Sequence, residues 1–318
     1  MNANNSQKTK QRICGILVTY NSDIEVSKTI KNAADELDGL IIIDNSSSEP
    51  NLTTLISAID KVKNLNGNVD HEILLIQNSE NMGLAKAYNT GVRMAIQQGY
   101  QFVLFLDPDS YIHTHIRNLL IDRYHYLSNR FIDVVLCCKN VEMLQITIDD
   151  LLIGYYSRKN LFVDQDVNEV LMAINSGLFL NVDTFNVVGF FDESYFTDSV
   201  DHEFSFRLLS SGYRIFRIEN AIIFHNMGKP LIKSLLGLRF GVRFHTSLRT
   251  YYIFKDTLRT IFRYRSKFPA ISLLLLIYLI TKLLTILLLY PDKLEYIRKI
   301  AEGIIDSLKV TSSDFNSR

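Results

Sequence analysis

Asp107 and Asp109 stand two positions apart where the apolar run of FVLFLDPDSYI stops. Two like charges this close repel unless something positive sits between them. A hard divalent cation answers that need, because it takes oxygen ligands. Asp, Pro and Ser are also good turn formers, so a plain turn fits the same four residues. Asp201 opens a second candidate, DHEFSFRLLSSGY, which reads as a short helix stopped by Gly212. An aspartate there can cap the helix or act as a general base. Asp198 and Ser199 are available to cap in its place, Glu203 is a further acid, and Arg207 sits one turn on to pair with it. His225 closes the run AIIFH. It is a structural histidine or, with an acid pair on the same rim, a metal ligand. His113 and His115 read as the start of the next helix.

These groups need elements to hold them. ICGILVTY from Ile13 to Tyr20, GLIIID ending at Asp44, EILLIQ and QFVLFL are short apolar runs that predict buried strands. Between them lie DIEVSKTIKNAADEL, with Ile24, Ile30, Ala34 and Leu37 at helical spacing, and LAKAYNTGVRMAIQQG, a helix ended by Gly99. Such alternation predicts an α/β fold with a mainly parallel sheet and helices on both faces. Ligands of open α/β sheets sit beyond the carboxyl ends of the strands. Thr19, Tyr20, Asn21, Asp44, Asn45, Asn78 to Asn81, Asp107 and Asp109 all fall there. The rim suits a nucleotide reader with a metal, and ordinary polar loops would look similar. No G-x-G-x-x-G follows the first strand and no G-x-x-x-x-G-K-[ST] occurs, which disfavours dinucleotide dehydrogenases and P-loop enzymes. A bound phosphate would then lean on a cation.

The net charge of zero hides an asymmetry: residues 1–226 balance at −10, residues 227–268 at +9 and residues 269–318 at +1. Residues 268–290, FPAISLLLLIYLITKLLTILLLY, are the most hydrophobic stretch and long enough for a transmembrane helix, but Lys282 interrupts them. The basic, aromatic segment before them has the composition of a helix lying on an anionic membrane surface. Surface helices are the preferred reading, with a true span or a buried helical interface as alternatives. No nucleic-acid motif accompanies the basic patch. Cys14, Cys137 and Cys138 give neither a disulfide framework nor a zinc spacing. The polar N-terminus lacks the apolar stretch of a leader and reads as a loose tail over residues 1–11.

Taken in order, VTYNSD, IIIDNSS, NMGLAKAYNTG, LFLDPDS, NSGLFL, GFFDESYFTDSVDHEFSFRL and FHNMG resemble the inverting family 2 glycosyltransferases of GT-A fold. The subgroup they resemble is the bacterial rhamnosyltransferases of O-antigen and capsule assembly. The likeness spans residues 13–228, and LRTYYIFKDTLR extends it. It implies a nucleotide-diphospho-sugar transferase domain over residues 12–228 and a basic, hydrophobic, membrane-associated helical region over 229–318. It implies that Asp107 and Asp109 hold Mg²⁺ or Mn²⁺ on the sugar nucleotide, with His225 as a further ligand. Asp44 then reads the base or ribose, Thr19, Tyr20 and Asn21 line the nucleotide pocket, and Asn81, Gly83 and Asp107 lie near nucleotide and diphosphate. Asp201 is the implied base. The chain has Val200-Asp201 where many relatives have Glu-Asp, which keeps Asp198 and Glu203 as alternatives. The implied donor is dTDP-L-rhamnose, with UDP-galactofuranose, UDP-glucose and UDP-galactose as alternatives. The implied acceptor is a lipid-linked oligosaccharide at the cytoplasmic face of the inner membrane. A sugar-nucleotide pyrophosphorylase would want a Gly-rich loop after the first strand, and VTYNSD has no glycine. A non-catalytic scaffold would not need Asp107, Asp109, Asp201 and His225.

Overall fold

The computed structural model of the chain describes residues 11–65, 72–142, 162–225, 231–235, 238–242 and 244–315. The expected tail up to residue 10 and the motif residues just beyond His225 lie outside the described residues.

Four strands, β1 (Ile13–Thr19), β2 (Gly39–Asp44), β3 (Glu72–Gln77) and β4 (Phe102–Leu106), form a parallel block in the order β3-β2-β1-β4. Period-two alternation decides their two faces. In β4, Phe102, Leu104 and Leu106 point to one core and Val103 and Phe105 to the other. The first core is covered by α1 (Val26–Glu36), α2 (Glu49–Leu65) and α4 (Ile116–Ser128). The second is covered by α3 (Leu84–Gln97), α5 (Thr184–Val188) and α6 (Val200–Ser210). Gly91 lets α3 lie against the sheet, since a Cβ there would meet Ile16 at 2.7 Å and Ile43 at 2.8 Å.

The helix around residues 23–37 is shorter than its spacing suggests. It begins at Val26, which leaves Ile24 66% exposed, while Ile30, Ala34 and Leu37 are buried as expected. Helix α2 adds an element that the pattern did not single out.

The sheet is mixed rather than parallel throughout. Beyond β4 come β9 (Leu178–Asn181), β6 (Val134–Glu142), β10 (Arg214–His225), β8 (Val167–Val170) and β7 (Val163–Asp164). Strand β9 runs antiparallel to both β4 and β6, and β10 is parallel to β6. The short β5 (Ser110–Ile112) pairs antiparallel with the end of β10, which places His225 opposite Ser110. Cys137 and Cys138 are buried strand residues of β6, as expected.

A hairpin, β11 (Leu231–Leu235) and β12 (Leu238–Val242), leads to three helices: α7 (Ser247–Tyr264), α8 (Pro269–Leu289) and α9 (Lys293–Phe315). Their core includes Ile253, Ile261, Leu275, Leu279 and Ile286, and Phe206 of α6 enters it, joining the helices to the sheet domain. The basic side chains of α7 turn toward acids. Arg259 and Arg263 meet Asp192 at 3.4 and 3.0 Å, and Arg249 meets Asp198 at 3.6 Å. Three basic side chains of the segment expected at a membrane are therefore matched by acids of the protein. Helix α8 is long and apolar enough to cross a membrane, yet its seam of Ile271, Leu275, Leu279 and Ile286 is packed. Its other side exposes Leu273, Ile280, Leu284 and Leu288.

Asp256 lies fully buried in α7, with Lys255 Nζ 3.5 Å from its carboxylate. Burial pushes its carboxyl from 3.8 up to about 7, Lys255 pulling it back and Asp198 adding to the rise. The fold thus keeps a proton that the unfolded chain has already released. That contribution is complete below about pH 4 and is lost as pH rises through 7. Asp256→Asn is expected to raise the melting temperature at pH 8, by on the order of 2 kcal/mol of stability, and to raise it much less at pH 4. Equal shifts at both pH values would show that the carboxyl ionises normally in the fold.

Candidate active site

The carboxyl ends of β1, β2, β3 and β4 carry the predicted rim. Thr19 donates to Asp44 Oδ1 at 3.0 Å, Ser47 N donates to Oδ2 at 2.9 Å, and Ser47 Oγ donates to Oδ1 at 2.5 Å. Asp44 is buried beneath them, with Thr19 and Ser47 between it and the rim. Asn21 holds φ 49° and accepts from Ser48 N at 2.8 Å, which pins the end of β1 to the start of α2. Tyr20 is 52% exposed and offers an aromatic face at the rim.

Three amides lock the next two strand ends. Asn45 donates to Asn81 Oδ1 at 2.8 Å and accepts from Asn78 at 3.0 Å, and Gly83 N donates to Asn81 Oδ1 at 3.0 Å. Gly83 has φ 82°, and a Cβ there would meet the Phe196 carbonyl oxygen at 2.8 Å. Only glycine allows both that backbone conformation and that approach. The loop before α6 is thereby pressed onto the start of α3. Asn89 holds the same loop further up, donating to the Phe191 carbonyl and accepting from its N–H, both at 2.9 Å.

Both readings of the Asp-Pro-Asp-Ser segment describe it in part. It is a turn, since the Asp107 carbonyl accepts from Ser110 N at 3.1 Å and from Ser110 Oγ at 2.7 Å. It also leaves Asp107 and Asp109 half-buried at the mouth of β4. Among the described residues no group of three His, Cys, Asp or Glu side chains gathers as a metal-ligand set. The side chain of His225 lies outside that description, although its strand runs beside Ser110. Two carboxylates at a strand mouth nevertheless fit Mg²⁺, which is commonly held by one or two carboxylates together with substrate phosphates and water. Mn²⁺ favours the same oxygen donors.

Tyr88 lies where the charges of both acid groups reach it. It stands on the buried seam of α3 with Ala85, Val92 and Ala95, packed against Phe105 and Phe191. Its hydroxyl is buried and makes no hydrogen bond. Burial raises its pKa well above 10, and the charges of Asp107 and Asp201 raise it further. Two carboxylates 94 positions apart in sequence thus act on one buried phenol. The seam spacing puts Tyr88 inside, but its meeting with both acids depends on the tertiary fold. Other buried polar atoms without a partner include Asn140 Oδ1, Asn175 Oδ1, Asp198 Oδ2 and His202 Nδ1. Such atoms are costly unless a ligand or water meets them.

The acids near α6 separate clearly. Ser199 occupies the N-cap position at φ 58° without a side-chain cap, and its hydroxyl lies 3.0 Å from Thr257 of α7. Asp201 Oδ1 accepts from His202 N at 2.9 Å, so neither residue is the cap that the sequence allowed. Asp201 keeps its side chain 24% exposed. Asp198 is more buried, and burial lifts its carboxyl to about 6, with Arg249 opposing the rise and Asp201 adding to it. Glu203 is 1% exposed. It takes two bonds from Arg207, at 3.1 and 2.8 Å, one from Tyr264 at 3.0 Å, and an ion pair with Arg263 at 3.5 Å. The expected Glu203–Arg207 pair is present, and both Glu203 oxygens are engaged by partners.

Residues 15–124 match the family Glycosyl transferase family 2. A dTDP-rhamnosyl transferase, RfbF of Shigella flexneri, is 23% identical over 312 residues, covering 93% of this chain and 95% of the relative. Among solved structures, GalNAc-T7 with UDP, GalNAc and Mn²⁺ shares the fold at a TM-score of 0.57 and 12% identity, over 97% of this chain. TarS of S. aureus does so at 0.51 and 16% identity, over 68% of this chain. The chain spans 58% and 36% of the lengths of those two structures, so the likeness concerns the fold. The chain thus has a GT-A-like α/β fold with a mixed, mostly parallel sheet, and its residues 15–124, which carry the first strand-end motifs, match Glycosyl transferase family 2.

Proposed function

We propose that the protein is an inverting glycosyltransferase. It moves L-rhamnose from dTDP-L-rhamnose to a hydroxyl of a lipid-linked saccharide in cell-surface polysaccharide synthesis. The observation that carries the reading is the placement of Asp107 at the carboxyl end of β4 and of partly exposed Asp201 at the start of α6, with the charges of both reaching the buried, unbonded hydroxyl of Tyr88. The rhamnosyl donor is supported by the relative named for that activity, which aligns along nearly the whole of both chains.

In this reading the exposed ring of Tyr20 stacks on the nucleobase, a contact that aromatic side chains make readily. Thr19 and Asn21 frame the nucleoside, and Asp44 keeps Thr19 and Ser47 aimed at it. The segment from Asn81 through Gly83 faces the diphosphate. Asp107 and Asp109 hold Mg²⁺ or Mn²⁺, with His225 as the candidate further ligand. When bound, the cation neutralises charge that develops on the leaving diphosphate. Asp201 takes the proton of the acceptor hydroxyl. That oxygen forms the new bond to the anomeric carbon from the face opposite the diphosphate. The old carbon–oxygen bond breaks with its electron pair going to the diphosphate, so configuration inverts without a covalent enzyme intermediate.

We place the enzyme peripherally at the cytoplasmic face of the membrane, a location supported by the exposed apolar side of α8. Its packed inner side and the lysine on that seam favour lying on the bilayer over crossing it.

Thermal stabilisation tests the donor side, because a ligand that binds the native state raises the melting temperature. We expect dTDP with Mn²⁺ to stabilise more than UDP with Mn²⁺, and EDTA or Asp109→Ala to remove the shift. A larger shift with UDP would change the donor to a UDP-sugar such as UDP-galactofuranose, UDP-glucose or UDP-galactose. No shift with either nucleotide would favour a non-catalytic scaffold. Asp201→Asn is expected to cut turnover by about 10²–10⁴-fold while keeping the nucleotide shift. Glu203→Gln should instead lower the melting temperature, by on the order of 3 kcal/mol of stability, because it leaves Arg207 and Arg263 without their buried counter-charge. Normal stability of that variant would reopen Glu203 as the base.

A further inference from the structure

Asn175, Ser176 and Gly177 lead into β9, the strand between β4 and β6. Because β9 runs antiparallel to both, its start lies toward their carboxyl ends. Backbone bonds fasten it there. Gly177 N donates to the Phe105 carbonyl at 2.8 Å, Cys138 N donates to the Gly177 carbonyl at 2.9 Å, and Leu178 N donates to the Asn175 carbonyl at 2.9 Å. Gly177 has φ 89°, and a Cβ there would meet Cys138 Cβ at 2.8 Å. Only glycine tolerates both. Phe105 stands just before Leu106 and Asp107, so the segment borders the mouth of β4.

Two side-chain amides come together at this place. Asn140 stands near the carboxyl end of β6, and its Nδ2 donates to the Ser176 carbonyl at 2.9 Å. That bond commits the nitrogen and leaves Oδ1 on the other side of the amide. Asn175, next to Ser176, is 7% exposed. Among the described residues, neither Asn140 Oδ1 nor Asn175 Oδ1 receives a hydrogen bond, and both oxygens are buried. A buried acceptor left without a donor is costly, so something that donates is expected to complete the pair.

The chemistry of the two oxygens limits what that is. An amide oxygen accepts and cannot donate. An ionised diphosphate or a carboxylate is itself an acceptor and offers these oxygens nothing. Hydroxyl groups suit them. The strand order then says which hydroxyls. It runs β3-β2-β1-β4-β9-β6. Thr19 and Tyr20 stand at the end of β1, Asp44 at the end of β2, and Asp107 and Asp109 at the mouth of β4. Asn175 and Asn140 come next in the same direction, one and two strands beyond β4, or roughly 5–10 Å at ordinary strand spacing. A nucleotide sugar laid along this rim, base over β1 and β2 and diphosphate over β4, brings its sugar to the two amides.

We propose that Asn140 and Asn175 read the transferred sugar, each amide oxygen accepting a hydrogen bond from one of its ring hydroxyls. The subsite rests on the transferase reading above. It adds the residues that choose the donor's sugar, as distinct from its nucleotide. A site that hydrogen-bonds a substrate hydroxyl rejects an analogue lacking it, because the buried partner is then left unpaired.

The test is the Kd of the full-length protein, with Mn²⁺, for dTDP, UDP, dTDP-L-rhamnose, UDP-galactofuranose, UDP-glucose and UDP-galactose. Monodeoxy analogues of whichever sugar nucleotide binds tightest follow. Asn140→Leu and Asn175→Leu are each expected to weaken that sugar nucleotide about tenfold, the scale of one lost hydrogen bond to a buried group, and to leave its free nucleotide within about twofold. In wild type at least one monodeoxy analogue is expected to bind about tenfold more weakly than its parent. That analogue should lose little more in the variant whose amide met the missing hydroxyl, since one contact cannot be lost twice. The wild-type analogue series needs no substitution, so it decides the matter even if a leucine variant fails to fold. Wild-type binding indifferent to every single ring hydroxyl would overturn the subsite. So would folded leucine variants that keep full affinity for the sugar nucleotide, which would leave the two oxygens to bound water. Equal weakening of the free nucleotide would also overturn it, by assigning the amides to the nucleotide or its cation. The free nucleotides report the transferase reading separately. Binding of neither dTDP nor UDP would remove that reading and the subsite with it, whereas normal nucleotide binding with no effect of either asparagine on the sugar would remove the subsite alone.

Discussion

Residues 192–203 carry Asp192, Glu193, Asp198, Asp201 and Glu203, five carboxylates within twelve positions that repel one another in any compact arrangement. The structure resolves this by bringing a cationic helix against them. Arg259 and Arg263 of α7 hold Asp192, Arg263 and Arg207 hold Glu203, and Arg249 holds Asp198. Uncharged contacts fix the same segment: Phe196 stacks on Tyr252 at 4.7 Å, and Ser199 meets Thr257 at 3.0 Å. On its other side the loop is pressed onto α3 through Gly83 and Asn89. Asp201 is thus left with one carboxylate oxygen bound locally and its side chain partly exposed.

This arrangement gives the C-terminal helices a part in positioning the site. Their core takes in Phe206, on the same helix as Asp201. A displacement of α7 would release the loop acids and move α6 together. Buried charge pairs of this kind add little net stability against an apolar alternative, but losing one partner leaves the other uncompensated. Their evident effect here is to fix which acids are engaged and which one remains available.

Helix α8 shows the same division of roles along its two sides. One side completes a protein core and the other is apolar and exposed. A helix wholly inside a protein would bury both sides, and the packed side carries Lys282 turned in to the Tyr290 hydroxyl.

Much of the domain was legible in one dimension. The apolar runs at Ile13, Gly39, Glu72 and Phe102 became β1 to β4, because short buried runs bounded by polar residues leave few other structures open to them. The polar strand ends fell on one rim, because parallel strands joined by helices all point the same way. The antiparallel entry of β9 between β4 and β6 was not legible, since a four-residue strand carries no record of its neighbours. The short start of α1 was not legible either, since the spacing of Ile24 fits a helix whether or not the helix extends that far. Residue type and spacing determined that Asp107, Asp109 and Asp201 were candidates for chemistry. Only the tertiary structure separated Asp201 from Glu203 and Asp198, because availability depends on the partners that approach each carboxyl. Those partners, Tyr264, Arg263 and Arg249, lie 51 to 61 residues further along the chain from the acids they meet, within a segment whose charge alone had pointed toward a membrane.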